Sequence, residues 1–127
     1  MMADALTILL VEDEPLILLD LEFAVEDSGN HVISAGCVAQ ALHFIADCHI
    51  DVAILDVNLG RNETCAPVAD ELRRRSIPYI LHSGDLDRRD ETIRSLGARV
   101  IAKPTSADRV VAEAIAEQAE RGSQHAL

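Results

Sequence analysis

Four short apolar runs, each followed at once by a polar residue, constrain the fold of this chain more than any other feature. Each run is shorter than a typical helix and apolar on both faces, which is the pattern of a buried parallel strand. The runs and the residues that follow them are 6–11 before Glu12 and Asp13, 52–55 before Asp56, 79–82 before Ser83, and 100–102 before Lys103. In an open parallel sheet the functional groups collect at the carboxyl ends of the strands. We therefore expect these polar residues to lie close together, although the sequence separates them widely.

Segments with the periodicity of amphipathic helices alternate with the apolar runs. The predicted helices cover residues 15–28, 38–47, 66–75, 88–96 and 108–121. Pro15 in the first turn and Gly29 just after the end are natural boundaries for the first of them. A further edge strand is predicted at residues 31–35, which completes five strand-helix units. This alternation predicts an α/β fold of one domain, residues 1–127, with a parallel sheet covered by helices on both faces.

The charge balance limits the kinds of partner. Twenty-two acidic residues against eleven Lys and Arg give a formal net charge of -11, which argues against binding to nucleic acid phosphates. No apolar run approaches the ~20 residues of a membrane span, and the N-terminus lacks the order of a signal peptide. Cys37, Cys48 and Cys65 show no metal-ligand spacing, and we expect all three to be reduced thiols that fill apolar space. The pattern predicts a soluble cytoplasmic protein with no membrane partner.

Three acidic side chains follow the first and third of the apolar runs. Glu12, Asp13 and Asp56 offer hard oxygen ligands of the kind that Mg²⁺ or Mn²⁺ prefers, which argues against a soft-ligand zinc site. We expect the side chain of Asp56 to project into solvent among the other acids. The sequence therefore predicts a magnesium site at the carboxyl edge of the sheet.

The groups that follow the last two runs suit a phosphoryl group. Ser83 offers a hydroxyl, Gly84 allows its backbone N–H to approach closely, and Lys103 supplies a mobile positive charge. Asp56 can act as the nucleophile, since aspartate forms acyl phosphates where a metal and a lysine spread the transition-state charge. Together these residues predict a phosphoryl-transfer site with Asp56 as the acceptor.

These motifs resemble those of bacterial response-regulator receiver domains along essentially the whole chain. The matching segments are Val-Glu-Asp-Glu-Pro at 11–15, Ile-Leu-Asp-Val-Asn-Leu-Gly at 54–60, Leu-His-Ser-Gly at 81–84 and Lys-Pro at 103–104. The resemblance implies a flavodoxin-like (βα)5 fold with strand order 2-1-3-4-5, in a stand-alone receiver without an output domain. It also implies two-component signalling, in which a histidine kinase or histidine phosphotransferase passes phosphate from a phosphohistidine to Asp56, which relays or dissipates it. Such a protein catalyses its own phosphorylation and dephosphorylation but is not a turnover enzyme.

The resemblance assigns roles to the residues of the magnesium site. Asp13 and Asp56 would bind Mg²⁺ directly, and Glu12 would act through water. The backbone carbonyl of Asn58 would complete the set of protein ligands.

The resemblance assigns further roles around the phosphoryl group. Ser83 and Lys103 would hold phosphoryl oxygens, and the bond between Lys103 and Pro104 would be cis, a form open mainly to proline. Asn58 and Asp85 occupy positions at which receivers tune access of the attacking water, so we expect them to set the lifetime of the acyl phosphate.

Two segments depart from the usual receiver pattern. Receivers commonly carry Tyr or Phe three residues before the lysine, where this chain has Val100. Residues 78–84 resemble, more loosely, the Pro-Phe-x-Phe-Ala-Thr-Gly signature of a subclass of single-domain receivers. Because valine cannot swing like an aromatic side chain, we expect the switch to pass through the loop after Ser83 and the helix that follows it.

The first predicted helix is too apolar for a single buried stripe. We expect Leu16, Leu18 and Leu19 to lie where a histidine kinase or histidine phosphotransferase docks, as the helix does in the family, and the chain to be a monomer or a weak homodimer. On the fourth predicted strand, alternation places His82 on the face opposite Ser83. We expect His82 to be a satisfied core histidine and Tyr79 to be a core residue.

Three alternative functions remain to be weighed. A receiver-fold scaffold that does not use phosphorylation would have no reason to retain Asp13, Asp56, Ser83 and Lys103. A Mg²⁺-dependent phosphohydrolase with an aspartate nucleophile would need a second acid two residues after Asp56, where the chain has Asn58. A flavin-binding protein of similar fold is the weakest option, because no Ser/Thr/Gly-rich phosphate loop follows the first strand.

Overall fold

The computed structural model describes residues 4–84 and 96–125, with side chains as far as residue 121. Strands and helices alternate along the described chain. The elements are β1 (Thr7–Val11), α1 (Pro15–Asp27), β2 (His31–Ala35), α2 (Val38–Asp47), β3 (Val52–Asp56), α3 (Ala66–Arg74), β4 (Tyr79–Ser83), β5 (Val100–Ala102) and α4 (Ala107–His125). The helix predicted at 88–96 lies outside the described residues except for Leu96, as does Asp85.

The five strands form one sheet in the order β2-β1-β3-β4-β5, and every neighbouring pair is parallel. The fold prediction is therefore confirmed. The register aligns Val11 with Leu55 and Asp56 with His82 near the carboxyl ends of their strands. Ser83 lies opposite Ala102, the residue before Lys103. This register brings the predicted site residues to one edge of the sheet.

Side chains that alternate along the strands build a core on each face of the sheet. On one face Leu9, Leu55 and Leu81 pack with residues of α2 and α3. On the other face Ile54 and Ile80 pack with residues of α1 and α4. All five side chains are almost completely buried. Burial on both faces is the reason that these strands read as continuous apolar runs and not as an alternating pattern.

Two element boundaries matter for the site. Strands β3 and β4 each extend one residue beyond the predicted runs, so Asp56 and Ser83 are the last residues of their strands and not the first residues after them. Their backbones are thereby held in the sheet. At the other boundaries the deviations are small, and the largest is α4, which ends at His125 where the prediction ended at residue 121.

The cysteines only partly follow the prediction. Cys65 is buried and Cys37 is half-buried, but Cys48 is exposed at the end of α2. The prediction that all three fill apolar space is therefore wrong for Cys48, because the helix ends before its side chain reaches the core. Among the described helices none is both long and apolar enough to cross a membrane.

Candidate functional site

The end of β1 places one buried and one exposed acid side by side. The backbone N–H of Glu12 donates to the carbonyl of Ala35 at 3.1 Å, which continues the pairing with β2 for one more residue. Glu12 is only 2% exposed, and its Oε1 accepts a hydrogen bond from the backbone N–H of Glu14. Asp13 is exposed and lies against Gly60, where an added Cβ would come within 3.0 Å of Asp13 Oδ2. Gly60 therefore leaves room for the Asp13 carboxylate.

Asp56 at the end of β3 is buried, with 7% of its surface exposed. The prediction that its side chain projects into solvent is therefore wrong. Lys103 covers it, because its Nζ lies 3.5 Å from Asp56 Oδ2 and 3.0 Å from Glu12 Oε2. Lys103 is the only lysine in the sequence. The structure thus brings together the three side chains that the sequence placed at the ends of three different strands.

The loop after β5 fixes the start of the Lys103 side chain. The backbone N–H of Lys103 donates to the carbonyl of Ser83 at 2.9 Å, which ties the lysine to the end of β4. The peptide bond between Lys103 and Pro104 is cis, as the resemblance implied. The hydroxyl of Thr105 donates to the carbonyl of Ala102 and closes the turn. The lysine is therefore directed across the carboxyl edge of the sheet.

The acidic residues form a compact cluster at this edge. Carboxylate oxygens of Glu12, Asp13 and Asp56 lie within 4.8 Å of one another. Burial, and next the negative charge of Glu12, raise the pKa of Asp56 from 3.8 to about 7, although Lys103 opposes the shift. The pKa of Lys103 is raised, because the hydrogen bond to Glu12 and the charge of Asp56 outweigh the effect of its burial. Three close carboxylates, of which Asp56 resists ionisation, are well suited to a hard divalent cation such as Mg²⁺.

Ser83 and Gly84 complete the edge beside Lys103. Ser83 is 1% exposed at the end of β4. A Cβ added to Gly84 would lie 3.6 Å from the Cδ of Lys103, which is an ordinary contact. Space alone therefore does not require glycine at this position. Gly84 lies beside the lysine, and the role of its backbone N–H stays a prediction.

Sequence reasoning missed a tight turn directly after Asp56. Asn58 pairs in antiparallel fashion with Thr64, and the N–H of Leu59 donates to the carbonyl of Glu63 at 3.0 Å. The three residues between them are left-handed, with φ of 76° at Gly60, 50° at Arg61 and 63° at Asn62. The run of Asn and Gly residues at 58–62 was the signal that could have revealed this turn. The turn holds Asn58 in place beside the acidic cluster.

An open cleft leads to the acidic cluster from the side of α2 and α3. Its volume is about 500 Å³, and its lining includes Asp13, the segment 36–37 and the turn at 59–61. The cleft leaves the exposed carboxylate of Asp13 accessible from solvent. A small phosphate donor or a hydrated cation can therefore approach the site by this route.

Tyr79 in β4 and Val100 in β5 both contact the core on the side of the sheet that α2 and α3 cover. Tyr79 is a buried core residue, as predicted. Val100 is half-buried against the same core cluster and pairs with Leu81. It is therefore packed in the place where other receivers carry an aromatic side chain.

His82 is buried, as predicted, but it is not satisfied. It is 4% exposed, and neither ring nitrogen has a hydrogen-bond partner among the described residues. Burial, and next the positive charge of Lys103, lower the pKa of His82 to about 4. The prediction that His82 is a core residue is therefore confirmed, but the prediction that its ring nitrogens are hydrogen-bonded is wrong among the described residues.

The surface of α1 carries an apolar stripe, defined by Leu16, Leu19 and Phe23, at the spacing of one helix face. Their exposed fractions are 79%, 44% and 57%. Leu18 is half-buried against the core, whereas Phe23, which the docking prediction left out, is exposed. Docking at Leu16, Leu18 and Leu19 stays a prediction. The stripe runs along the helix that begins directly after the acidic cluster.

Comparison with known proteins agrees with this geometry. A model of the response regulator receiver domain matches residues 8–115. The alginate biosynthesis transcriptional regulatory protein AlgB of Pseudomonas putida is 31% identical over 108 residues, which are 81% of this chain and 24% of that protein. The chain thus spans about a quarter of the length of this curated relative.

The solved structures that are similar to this chain include a receiver domain. The solution structure of SdrG from Sphingomonas melonis Fr1 is 39% identical, with a TM-score of 0.75, and the match covers 93% of this chain and 99% of that one. A CheY-like receiver domain protein from Methanospirillum hungatei JF-1 has a TM-score of 0.83 at 20% identity, over 95% of this chain and 99% of that one, which supports the fold alone. Because the family model covers most of the chain, and the fold and strand order agree with it, the chain belongs to the family of response regulator receiver domains.

Proposed function

We propose that this receiver domain is the phosphoacceptor of a two-component phosphorelay, and that Asp56 takes the phosphoryl group from a phosphohistidine. The observation that carries the proposal is the position of Lys103, whose ammonium lies 3.0 Å from Glu12 and 3.5 Å from Asp56. A lysine held over a cluster of buried acids has little structural benefit, since a buried ion pair often stabilises a fold no better than apolar residues. It is well placed to neutralise an incoming phosphoryl group.

The transfer is a displacement at phosphorus. An Asp56 carboxylate oxygen attacks, the P–N bond to the donor imidazole breaks, and its electron pair returns to the ring nitrogen. Lys103, the Ser83 hydroxyl and the Gly84 N–H hold the phosphoryl oxygens as charge builds on them. Asp13, Asp56 and the carbonyl of Asn58 would hold Mg²⁺, with Glu12 acting through water, and the ion would supply further positive charge near the phosphoryl oxygens. The product is an acyl phosphate, which water later hydrolyses.

The donor is a histidine kinase or a histidine phosphotransferase, the proteins with which receiver domains exchange phosphate. Its phosphohistidine helix would dock on the apolar stripe of α1, whose three exposed side chains lie on the helix that begins two residues after Asp13. The thiols of Cys37 and Cys48 are not joined in a disulfide, which fits a reducing compartment, so we place this exchange in the cytoplasm.

The competing hydrolase function has less support. It needs a second acid two residues after Asp56 to protonate the leaving group. The position two residues later is Asn58, whose backbone pairs with Thr64 in the tight turn. Neither this pairing nor the amide side chain supplies a proton. An acyl phosphate on Asp56 is therefore the expected product.

Labelling with a small phosphodonor tests the proposal without any partner. The protein is incubated with phosphoramidate and Mg²⁺, the acyl phosphate is reduced with borohydride, and the modified residue is located by mass spectrometry. We expect one label, on Asp56, and none in Asp56→Asn. Asp47→Asn, at an exposed position in α2, is the matched control and should label like the wild type. Full labelling of Asp56→Asn, or turnover of the donor by Asp56→Asn, would contradict the proposal.

A further inference from the structure

A cavity at the amino end of β4 takes no part in the phosphoryl-transfer site. Its volume is about 250 Å³, and its wall includes Arg73 of α3, Ser76, Tyr79 of β4 and Arg121 of α4. Tyr79 is the first residue of β4 and Ser83 is the last, so the cavity and the site are separated by ~13 Å along the strand. This space, the amino-end cavity, is therefore open to a different ligand.

Two arginines from different helices line the amino-end cavity. Arg73 pairs with Asp70 at 2.5 Å, and Arg121 lies 3.4 Å from Glu117. Each arginine has one ion pair among the described residues, and a guanidinium carries five N–H donors, so several donors remain for a ligand. Helix dipoles favour an arginine near the end of each helix, but they do not direct both side chains to one cavity. A bound anion would account for both.

Tyr79 adds a hydroxyl close to the two arginines. Burial raises the pKa of Tyr79, whereas the positive charges of Arg73 and Arg121 oppose that shift. Both charges therefore act on the phenol oxygen, and the phenol keeps its proton at neutral pH. A protonated phenol is a hydrogen-bond donor. The cavity thus has an O–H donor beside two cations.

Ser76 occupies a position that usually carries glycine. The end of α3 is a Schellman motif, in which the N–H of Ser76 donates to the carbonyl of Arg73 at 3.0 Å. In the same motif the N–H of Ile77 donates to the carbonyl of Leu72 at 2.8 Å. Ser76 is left-handed, with φ of 59°, a conformation that costs a residue with a Cβ more than it costs glycine. The serine offers what glycine would lack, a hydroxyl on a residue of the cavity wall.

The arrangement of the donors favours a phosphate group. They come from α3, the turn after it, β4 and α4, so they approach a ligand from several directions. The three free oxygens of a phosphate monoester diverge, whereas the two oxygens of a carboxylate lie in one plane, and arginine binds either group through paired N–H bonds. Ile77, Pro78 and Leu96 give the wall an apolar part that suits the organic body of an ester. A polymer with many phosphates is repelled by the net charge of -11, so a small monoester fits best.

We propose that the amino-end cavity binds a small organic phosphate monoester, which Arg73, Arg121 and the hydroxyls of Ser76 and Tyr79 hold. The inference does not depend on phosphorylation of Asp56, because Asp56 lies at the carboxyl end of its strand and the cavity at the amino end of β4. The competing explanation is a purely structural role, in which the arginines only stabilise helix ends and water fills the cavity.

Phenyl phosphate is the probe, and NMR of the isotope-labelled protein without Mg²⁺ measures its binding. We expect Kd in the millimolar range, which suits a ligand with ~11 non-hydrogen atoms. Arg73→Gln and Arg121→Gln should each raise Kd about tenfold, the effect of one lost charge-assisted hydrogen bond. Arg74→Gln is the matched control and should leave Kd unchanged, because Arg74 pairs with Glu71 and is outside the cavity wall.

Ser76→Gly distinguishes a ligand site from a structural role. Glycine suits the left-handed position, so we expect Tm to stay the same or to rise. Because the hydroxyl is lost, Kd for phenyl phosphate should rise several-fold. A purely structural role of the serine predicts a change in Tm alone.

The positions of the shifts and two further ligands complete the test. We expect the largest shifts in residues 76–79 and 96–98. Inorganic phosphate, which has no apolar body, and phenylacetate, which has a carboxylate in place of the phosphate, should each bind about tenfold more weakly than phenyl phosphate. Shifts confined to residues 83–84 and 103 would show that the ester binds only at the phosphoryl-transfer site. That result, equal binding of either further ligand, an unchanged Kd in either arginine variant or in the glycine variant, or no binding at all would overturn the inference. Phosphoramidate labelling of Asp56 tests the proposed function separately.

Discussion

Lys103 Nζ lies 3.0 Å from Glu12 Oε2, across 91 residues of sequence and with the lysine side chain 16% and the glutamate side chain 2% exposed. This ion pair joins the loop after β5 to the end of β1 over the top of Asp56. The lysine is therefore held at the site before any phosphoryl group arrives, and a phosphoryl group must compete with Glu12 for it. The pair is both a structural link and a preorganised part of the site.

Removal of Lys103 should destabilise the fold, because the buried acids then lack a positively charged partner. We expect Lys103→Met to lower the free energy of unfolding at neutral pH by about 3 kcal/mol, because Glu12 loses its buried partner. Urea denaturation without Mg²⁺ measures the loss. The double variant Glu12→Gln and Lys103→Met should recover part of it, since the charge of Glu12 is then removed and only Asp56 still lacks the lysine. A double variant no more stable than Lys103→Met would show that the lysine acts through its packing and not through its charge.

Asp56→Asn should make the metal-free protein more stable, and more so at higher pH. The folded-state pKa of Asp56 is raised from 3.8 to about 7, so between these values the folded state holds a proton that the unfolded state has lost. The contribution of Asp56 to stability is thus present at low pH and is lost as the pH rises through about 7. We expect the variant to exceed the wild type by about 4 kcal/mol at pH 8, with the difference vanishing near pH 4. Denaturation curves of both proteins across this range provide the check, and a difference independent of pH would refute the linkage.

Mg²⁺ should stabilise the wild type by binding to the acidic cluster. We expect weak binding, with Kd in the millimolar range, because Mg²⁺ gives up water reluctantly. At ten times Kd, mass action predicts a rise in Tm of about 4 °C at neutral pH. Asp13→Asn should lose this rise, whereas Asp47→Asn, far from the cluster on α2, should keep it. If Tm does not change up to tens of millimolar Mg²⁺, the acidic cluster does not bind the cation.

The sequence predicts the edge of the sheet at which the site residues meet, but it does not predict how deeply each side chain is buried. The apolar runs fix the strands, and parallel connection then brings Asp56 and Lys103 to one edge. The burial of Asp56 is not visible in the sequence, because it depends on a lysine from a distant loop lying over it. Nor can the sequence separate Leu18 from Phe23, since α1 is apolar almost all round and gives no direction for its buried face. Such properties arise only when the elements pack.

Asn58 and Asp85 should control how long the acyl phosphate survives. Asn58 is exposed and is held beside Asp56 by the tight turn, while Asp85 lies outside the described residues. Polar side chains at these positions can hold a water molecule in line with phosphorus, so we expect rapid hydrolysis in the wild type. Asn58→Met combined with Asp85→Arg should lengthen the lifetime several-fold without loss of labelling. Decay of the labelled protein in Mg²⁺ gives the rate. Glu63→Gln, at the far side of the turn, is the control, and equal decay in all three proteins would place the water elsewhere.

The response to phosphorylation should appear after β4 and not at β5. Val100 is half-buried against the core and pairs with Leu81, and as a β-branched side chain it has no polar tip to carry to a new position. We expect the phosphate mimic beryllofluoride, bound at Asp56, to slow backbone hydrogen exchange in residues 84–96 and to leave Val100 unchanged. Val100→Ala should show the same pattern, since the valine takes no part in the switch. Changes centred on Val100, with none in residues 84–96, would show instead that β5 carries the signal without an aromatic side chain.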